Sequence, residues 1–112
     1  MNPSIGQPSP EDREVLQNSK DARLVKRAAM VFAKSQQDAD HQFLGDRLTT
    51  ADLINRLDPP ESVSGSFQHL RLGRVMRGLM ENSRPSAQQA ILRLTSADTF
   101  HDHFLRIQIL IR

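Results

Sequence analysis

Apolar residues recur along this chain at the three- and four-residue spacing of α-helices, most clearly over residues 20–35. The stripe there consists of Ala22, Val25, Ala28, Ala29 and Phe32. The other positions carry five basic residues against one acid, so this segment predicts an amphipathic helix with a basic outer side. We interpret that side as a solvated face whose aliphatic stems lie along apolar surface.

Further helices are predicted before and after this one. Ser9 is a good cap, Pro10 suits the first helical position, and the acids at positions 11 and 12 favour a helix N-terminus, so a short helix begins there. Within residues 36–47 the pattern is ambiguous, and a short helix could begin at Asp38 or Asp40 and end at Gly45. Helices are expected over 49–57, ended by Pro59 and Pro60, and over 66–82, where glycines at 73 and 78 indicate either close approach of another helix or a break near Gly73.

The C-terminal third holds the densest aliphatic run. One helix is expected from Pro85, capped by Ser83 or by Ser86. Another is expected from about Asp98 to the end of the chain, on the spacing of its phenylalanines and isoleucines. A second interpretation stays open for residues 105–112, where apolar residues alternate as in a β-strand that would pair with another molecule.

The chain stops inside this apolar run, without a capping residue or a polar tail. Three explanations are open: the 112 residues are the N-terminal part of a longer protein, the surface of Phe104, Ile107 and Ile111 mediates self-association, or the segment is the central core helix of a small domain. Residues 1–8 are turn-rich and expected to be flexible, and residues 9–112 are expected to form one helical domain.

Composition narrows the class of protein. The chain contains no cysteine, which excludes disulfides and thiolate metal sites. It shows no secretory signal and no apolar run near the length of a membrane span, so a cytoplasmic protein without membrane contact is expected. The net charge is only +2, but residues 65–112 carry seven arginines and no lysine against three acids, which favours an acidic partner for that half.

Residues 70–112, LRLGRVMRGLMENSRPSAQQAILRLTSADTFHDHFLRIQILIR, form a helix, a turn near residues 82–85, a helix, another turn and a further helix. From Arg71 to Arg112 this succession resembles one and a half units of a HEAT-like helical repeat. Over the whole chain the pattern predicts six or seven short amphipathic helices at loop spacings typical of antiparallel neighbours. The resemblance implies that these helix pairs stack as a right-handed solenoid that serves as a binding scaffold without catalytic residues. A compact all-α bundle is the alternative architecture.

No catalytic, cofactor or metal site is predicted. The chain has no G-x-S-x-G elbow, no glycine-rich phosphate loop and no histidine pair at ligand spacing. His101 and His103 diverge by about 200° on a helix. A distant option is an acid–base enzyme that uses Asp98, Asp102 and His103, although positions near a helix start are explained more simply by capping.

Four arginines give the strongest functional signal: Arg71, Arg74, Arg77 and Arg84. The three-residue spacing of the first three makes a band along the helix over 66–82, and guanidinium groups suit carboxylate or phosphate ligands. The favoured function is a non-catalytic protein-interaction module that binds another protein or another copy of itself. The alternative is binding of nucleic acid or another acidic partner through the arginine band, and an ordinary solvated face would explain the same pattern.

Overall fold

The structure, a computed structural model, describes residues 7–48, 51–59, 70–98 and 101, and within these ranges all regular structure is α-helical. This confirms the all-α part of the predicted fold class. Asp98 and His101 are also helical, at the place where a last helix was predicted to begin. The helices are α1 Pro10–Asn18, α2 Ala22–Lys34, α3 Asp38–Leu48, α4 Ala51–Leu57, α5 Arg71–Met80 and α6 Pro85–Thr95.

The first two helices begin at capping residues that hydrogen-bond the free N–H groups of the first turn. The Ser9 hydroxyl accepts from Asp12 N at 3.1 Å, and Ser9 N donates to the Asp12 carboxylate at 2.9 Å, which confirms the predicted start of α1. Asp21 caps α2 by accepting from Arg23 N and Leu24 N.

Helix α2 lies at the centre of the fold and packs against α1, α3, α4 and α5. Its predicted stripe is the buried side: Val25, Ala29, Phe32 and Ala33 are fully inaccessible to solvent. Around them lie leucines from every other helix, which close one continuous apolar core. The largest of these side chains are Leu16, Leu44, Leu48, Leu53, Leu57, Leu72, Leu79 and Leu94.

Two pairs of helices three places apart in the chain lie side by side, and α3 and α6 show this most clearly. The N-terminal residue Asp38 of α3 contacts Arg84 and Ser86 at the start of α6, and Asp46 near the end of α3 forms an ion pair with Arg93. These contacts join residues 46 to 48 positions apart. Because start meets start and end meets end, the two helices are parallel.

The same arrangement relates α2 to α5, since Gly78 near the end of α5 lies against Ala33 and Met30 near the end of α2. Helix α4 differs, because it packs mainly on α2 and α3. It reaches the end of α1 through Arg56, which donates to the carbonyl oxygens of Leu16 and Ser19 at 2.6 and 2.8 Å. Helices α2 and α3 therefore each lie parallel to the helix three places later, α5 and α6.

The turn between α5 and α6 is joined to the end of α2 by buried hydrogen bonds. The side-chain amide of Asn82, between α5 and α6, donates to Ala33 O at 2.9 Å and to Ser35 O at 2.8 Å, both at the end of α2. Its oxygen accepts from Arg84 N at 3.0 Å. Asn82 thus satisfies carbonyl groups that the end of α2 leaves without helical partners.

Two local predictions, for the end of α3 and the start of α6, were wrong. Helix α3 does not end at Gly45 but continues to Leu48. Gly45 is instead a contact point, since an added Cβ would lie 3.3 Å from Arg93 Nη1 and 3.4 Å from Ala90 Cβ. Helix α6 has Arg84 at its N-cap position without a side-chain cap, so neither Ser83 nor Ser86 fills that role.

The predicted helix over 66–82 is shorter at both ends where the structure describes it. Leu70 is extended, with φ −80° and ψ 153°, and the helix runs from Arg71 to Met80. The reason is a tertiary cap: Asp58 accepts from Arg71 N and Leu72 N, both at 3.0 Å. The helix is continuous through Gly73, so no break occurs there.

Candidate binding groove

An open groove of about 570 Å³ runs between α2 and α5 and is lined almost entirely by cations. Because the two helices are parallel, the basic side of one adjoins the arginines of the other. Its walls are formed by Arg23, Lys26, Arg27, Met30, Lys34, Arg71 and Arg74. We call this stretch the cationic half of the α2–α5 groove.

The sequence places these cations on the rim because of helical periodicity. In α2 the buried stripe occupies one side, and Arg23, Lys26 and Arg27 fall on its border, one turn apart. In α5 the burial of Leu72, Val75 and Leu79 leaves Arg71 and Arg74 on the side that faces α2. Packing of the two apolar stripes therefore brings the two sets of charges together.

Most of these cations have no anionic partner within the described ranges. Arg23, Lys26, Arg27, Lys34 and Arg74 make no ion pair there, and their charges repel one another. Arg71 differs: its guanidinium donates to Leu57 O at 3.3 Å and lies 3.9 Å from the buried Asp58 carboxylate. Since Asp58 also caps α5, the N-terminus of that helix is already satisfied by the protein itself.

Toward the C-terminal ends of α2 and α5 the groove gains apolar side chains and loses some of its cations. This stretch shares Lys26, Met30, Lys34 and Arg74 with the cationic half, and has Met76, Met80 and two glycines on its floor and wall. Met80 is 64 % exposed although it is a large apolar residue. Arg77 and Glu81 border this methionine half and pair with each other at 3.1 Å, both largely exposed.

The arginines predicted as one band do not lie on one surface. Arg71, Arg74 and Arg77 line the groove, whereas Arg84 lies at the start of α6 and donates to Asp38 at 2.9 Å. Sequence reasoning placed the cations of α2 on an ordinary solvated face and did not connect them with α5. The available signal was that both helices carry basic residues bordering a strong apolar stripe.

A second polar cluster lies where α3 meets α6. His41 is fully buried; its Nε2 lies 2.8 Å from Ser35 O and its Nδ1 lies 2.6 Å from the Ser86 hydroxyl. Ser86 in turn donates to Asp38 at 3.0 Å. Hydrogen bonds from Arg84 and then from Ser86 hold the pKa of the Asp38 carboxyl below its ordinary value.

The order of these groups differs from that of a hydrolase triad. In a triad the histidine lies between the serine and the carboxylate and accepts the serine proton. Here Ser86 lies between Asp38 and His41, and the second nitrogen of His41 faces a backbone carbonyl. The arrangement connects α3 to α6 and suits a structural role.

Several predicted site residues lie outside the described residues. They are the proposed self-association surface, Phe104, Ile107 and Ile111, and the remaining acid–base candidates, Asp102 and His103. Asp98 and His101 are described and exposed. In the described ranges no three histidine or carboxylate side chains come close enough to hold a metal ion, and no helix has the length and apolarity needed to cross a bilayer.

In comparisons with known proteins, no protein-family model, no curated protein and no solved structure matches the chain.

Proposed function

We propose that this protein is a non-catalytic interaction module of helical-repeat type that binds an acidic segment of a partner protein in the α2–α5 groove. The observation that carries the proposal is the convergence of six cations from two helices on one open groove, five of them without an anionic partner in the described part of the chain. A bound anionic segment would relieve the repulsion among them and gain charge-assisted hydrogen bonds.

The helical-repeat part of the proposal is supported by the parallel packing of helices three places apart. Helices α2 and α3 each lie beside the helix three places later, and the α3–α6 contacts join residues 45 to 48 positions apart. Solenoids of the HEAT and armadillo kind repeat every ~40–47 residues, with two or three helices a unit. Stacked repeats of this kind serve as extended binding surfaces.

A protein ligand is favoured over nucleic acid because the groove has no aromatic side chains. Binding of single strands combines backbone cations with aromatic side chains on which bases stack. The chain has no Trp or Tyr, and the groove residues include no Phe. The apolar surface present is methionine, which suits aliphatic or aromatic side chains of a peptide.

The test is fluorescence anisotropy with a labelled oligoglutamate peptide and, separately, a labelled oligothymidylate of equal charge. We expect the double variant Lys26→Glu, Arg74→Glu to bind the peptide about 30-fold or more weakly, since each reversal removes an attraction of up to ~1 kcal/mol and adds a repulsion of similar size. Lys20→Glu reverses an exposed charge outside the groove and is the matched control.

Equal loss of affinity in the control and the double variant would refute the groove as the binding site. Retention of oligothymidylate in preference to the peptide, with a steep dependence on salt, would refute the protein-ligand proposal in favour of phosphate binding.

A further inference from the structure

The two halves of the α2–α5 groove differ in chemistry along a single direction. The cationic half lies toward the N-terminal ends of both helices, with Arg23 and Arg71 at its far end. The methionine half lies toward the C-terminal ends, where Met80 and Glu81 line the groove together with Lys34 and Arg77. A ligand in the groove therefore meets fewer cations and more apolar surface toward that end.

The apolar end is suited to side-chain binding because its methionines are partly accessible. Met80 is 64 % exposed, Met30 is half-buried, and Met76 is 9 % exposed at the base. Unbranched thioether side chains repack around ligands of different shape, which is why methionine recurs at adaptable binding surfaces. Gly78 lets α5 approach α2 beneath them, with an added Cβ only 3.3 Å from Ala33 Cβ and from Met30 Cε.

Glu81 adds a repulsive element at the same end. It is the acidic residue among those that line the two described stretches of the groove. Its carboxylate pairs with Arg77 at 3.1 Å, so Arg77 is less available to a ligand than the cations at the other end. A ligand carboxylate is therefore attracted more strongly to the cationic half, with six cations, than to the methionine half, with four cations and one acid.

From this polarity we infer that the ligand is a linear peptide segment with a cluster of carboxylates at one end and one or more large apolar side chains at the other. The carboxylates lie among Arg23, Arg27, Arg71 and Arg74, and the apolar side chains cover Met30 and Met80. This inference rests on the proposed function and specifies which acidic segments the groove selects.

The test uses two labelled peptides of identical composition, one with its glutamates and leucines in separate blocks and the other with them interleaved. We expect the block peptide to bind about fivefold to tenfold more tightly, since only it covers the exposed methionine surface while its charges reach the cations. Met80→Gln should remove most of that preference and leave binding of the interleaved peptide unchanged.

Leu92→Gln is the matched control, since Leu92 is 65 % exposed on α6 and does not line the groove. Circular dichroism melts of both variants should coincide with that of the unmodified protein. Equal affinity for the two peptides, with both lost in Lys26→Glu, Arg74→Glu, would overturn this inference and leave the proposed function intact. Failure of both peptides to bind would overturn the two together.

Discussion

Substitution of Asn82 tests how strongly the turn after α5 is held to the end of α2. Asn82 is 7 % exposed and lies between α5 and α6. Its amide group donates to Ala33 O and Ser35 O, and its oxygen accepts from Arg84 N. Asn82→Ala removes these three hydrogen bonds without adding a bulky or charged group.

The expected cost follows from the groups left behind. Ser35 O lies 2.8 Å from His41 Nε2, which donates to it in the tautomer that carries the ring proton on that nitrogen. Ala33 O and Arg84 N lose the partner that Asn82 supplied, and an unsatisfied buried group costs about 1–3 kcal/mol. Because Arg84 is only partly buried and water reaches it, we expect Asn82→Ala to lower the free energy of unfolding by about 2–4 kcal/mol in total.

Asn82→Asp provides a sharper comparison because it has the same shape. It keeps the acceptor for Arg84 N but places a carboxylate oxygen where the donor stood, less than 3 Å from two carbonyl oxygens. We therefore expect Asn82→Asp to be less stable than Asn82→Ala at neutral pH, by about 1 kcal/mol or more. The gap should narrow in acid, where a protonated carboxyl regains a donor.

Urea unfolding followed by far-ultraviolet circular dichroism is the assay, since the chain has no Trp or Tyr for fluorescence. Midpoints should shift while the slope with urea stays constant, which identifies a change in stability. An aspartate variant as stable as the alanine variant, or a loss below about 0.5 kcal/mol in both, would show that this amide does not hold the turns together.

Two other predictions concern contacts between helices. Gly78→Val should destabilise the protein by about 1–3 kcal/mol, because its side chain would overlap Ala33 across the α2–α5 contact. Gly73 is half-buried, so Gly73→Ala should be neutral or stabilising by up to about 1 kcal/mol; equal thermal midpoints for the two variants would contradict the close approach at Gly78. Because the folded pKa of Asp38 is depressed, the unfolded chain takes up its proton first as pH falls, so the stability contributed by Asp38 is present above its ordinary pKa of 3.8 and lost below it. Asp38→Asn should therefore have a lower urea midpoint than the unmodified protein at neutral pH, and the two midpoints should converge in acid. A difference in midpoint that is independent of pH would contradict the role of the carboxylate charge.

The candidate groove shows how far sequence reasoning reaches for a binding surface. Four arginines were singled out from the sequence, and the three that belong to α5 line the groove. Arg84 was grouped with them because it follows closely in the chain, but a turn separates it from α5 and it binds Asp38 instead. The cations of α2 were predicted to be exposed, yet their proximity to α5 depends on packing between segments about 45 residues apart.

The hydrogen-bonded cluster of Asn82, His41 and Ser86 could not have been predicted from spacing. Each is a single polar residue with no partner at helical spacing in the sequence. The hydrogen bonds from His41 to Ser86 and from Asn82 to His41 and Ala33 join residues 41 to 49 positions apart, so only the folded chain brings them together.

The sequence by itself determined the elements whose causes are local. The cap at Ser9, the proline that follows it and the apolar stripe of α2 act within one or two turns, so helix type and buried side are readable from the residues. The tertiary structure alone decided the parallel pairing of helices three places apart, the passage of α3 through Gly45 and the start of α5 at Arg71. Each of these depends on a group from another helix, such as Ala90 beside Gly45 or Asp58 capping α5, and local periodicity carries no information about which helix becomes the neighbour.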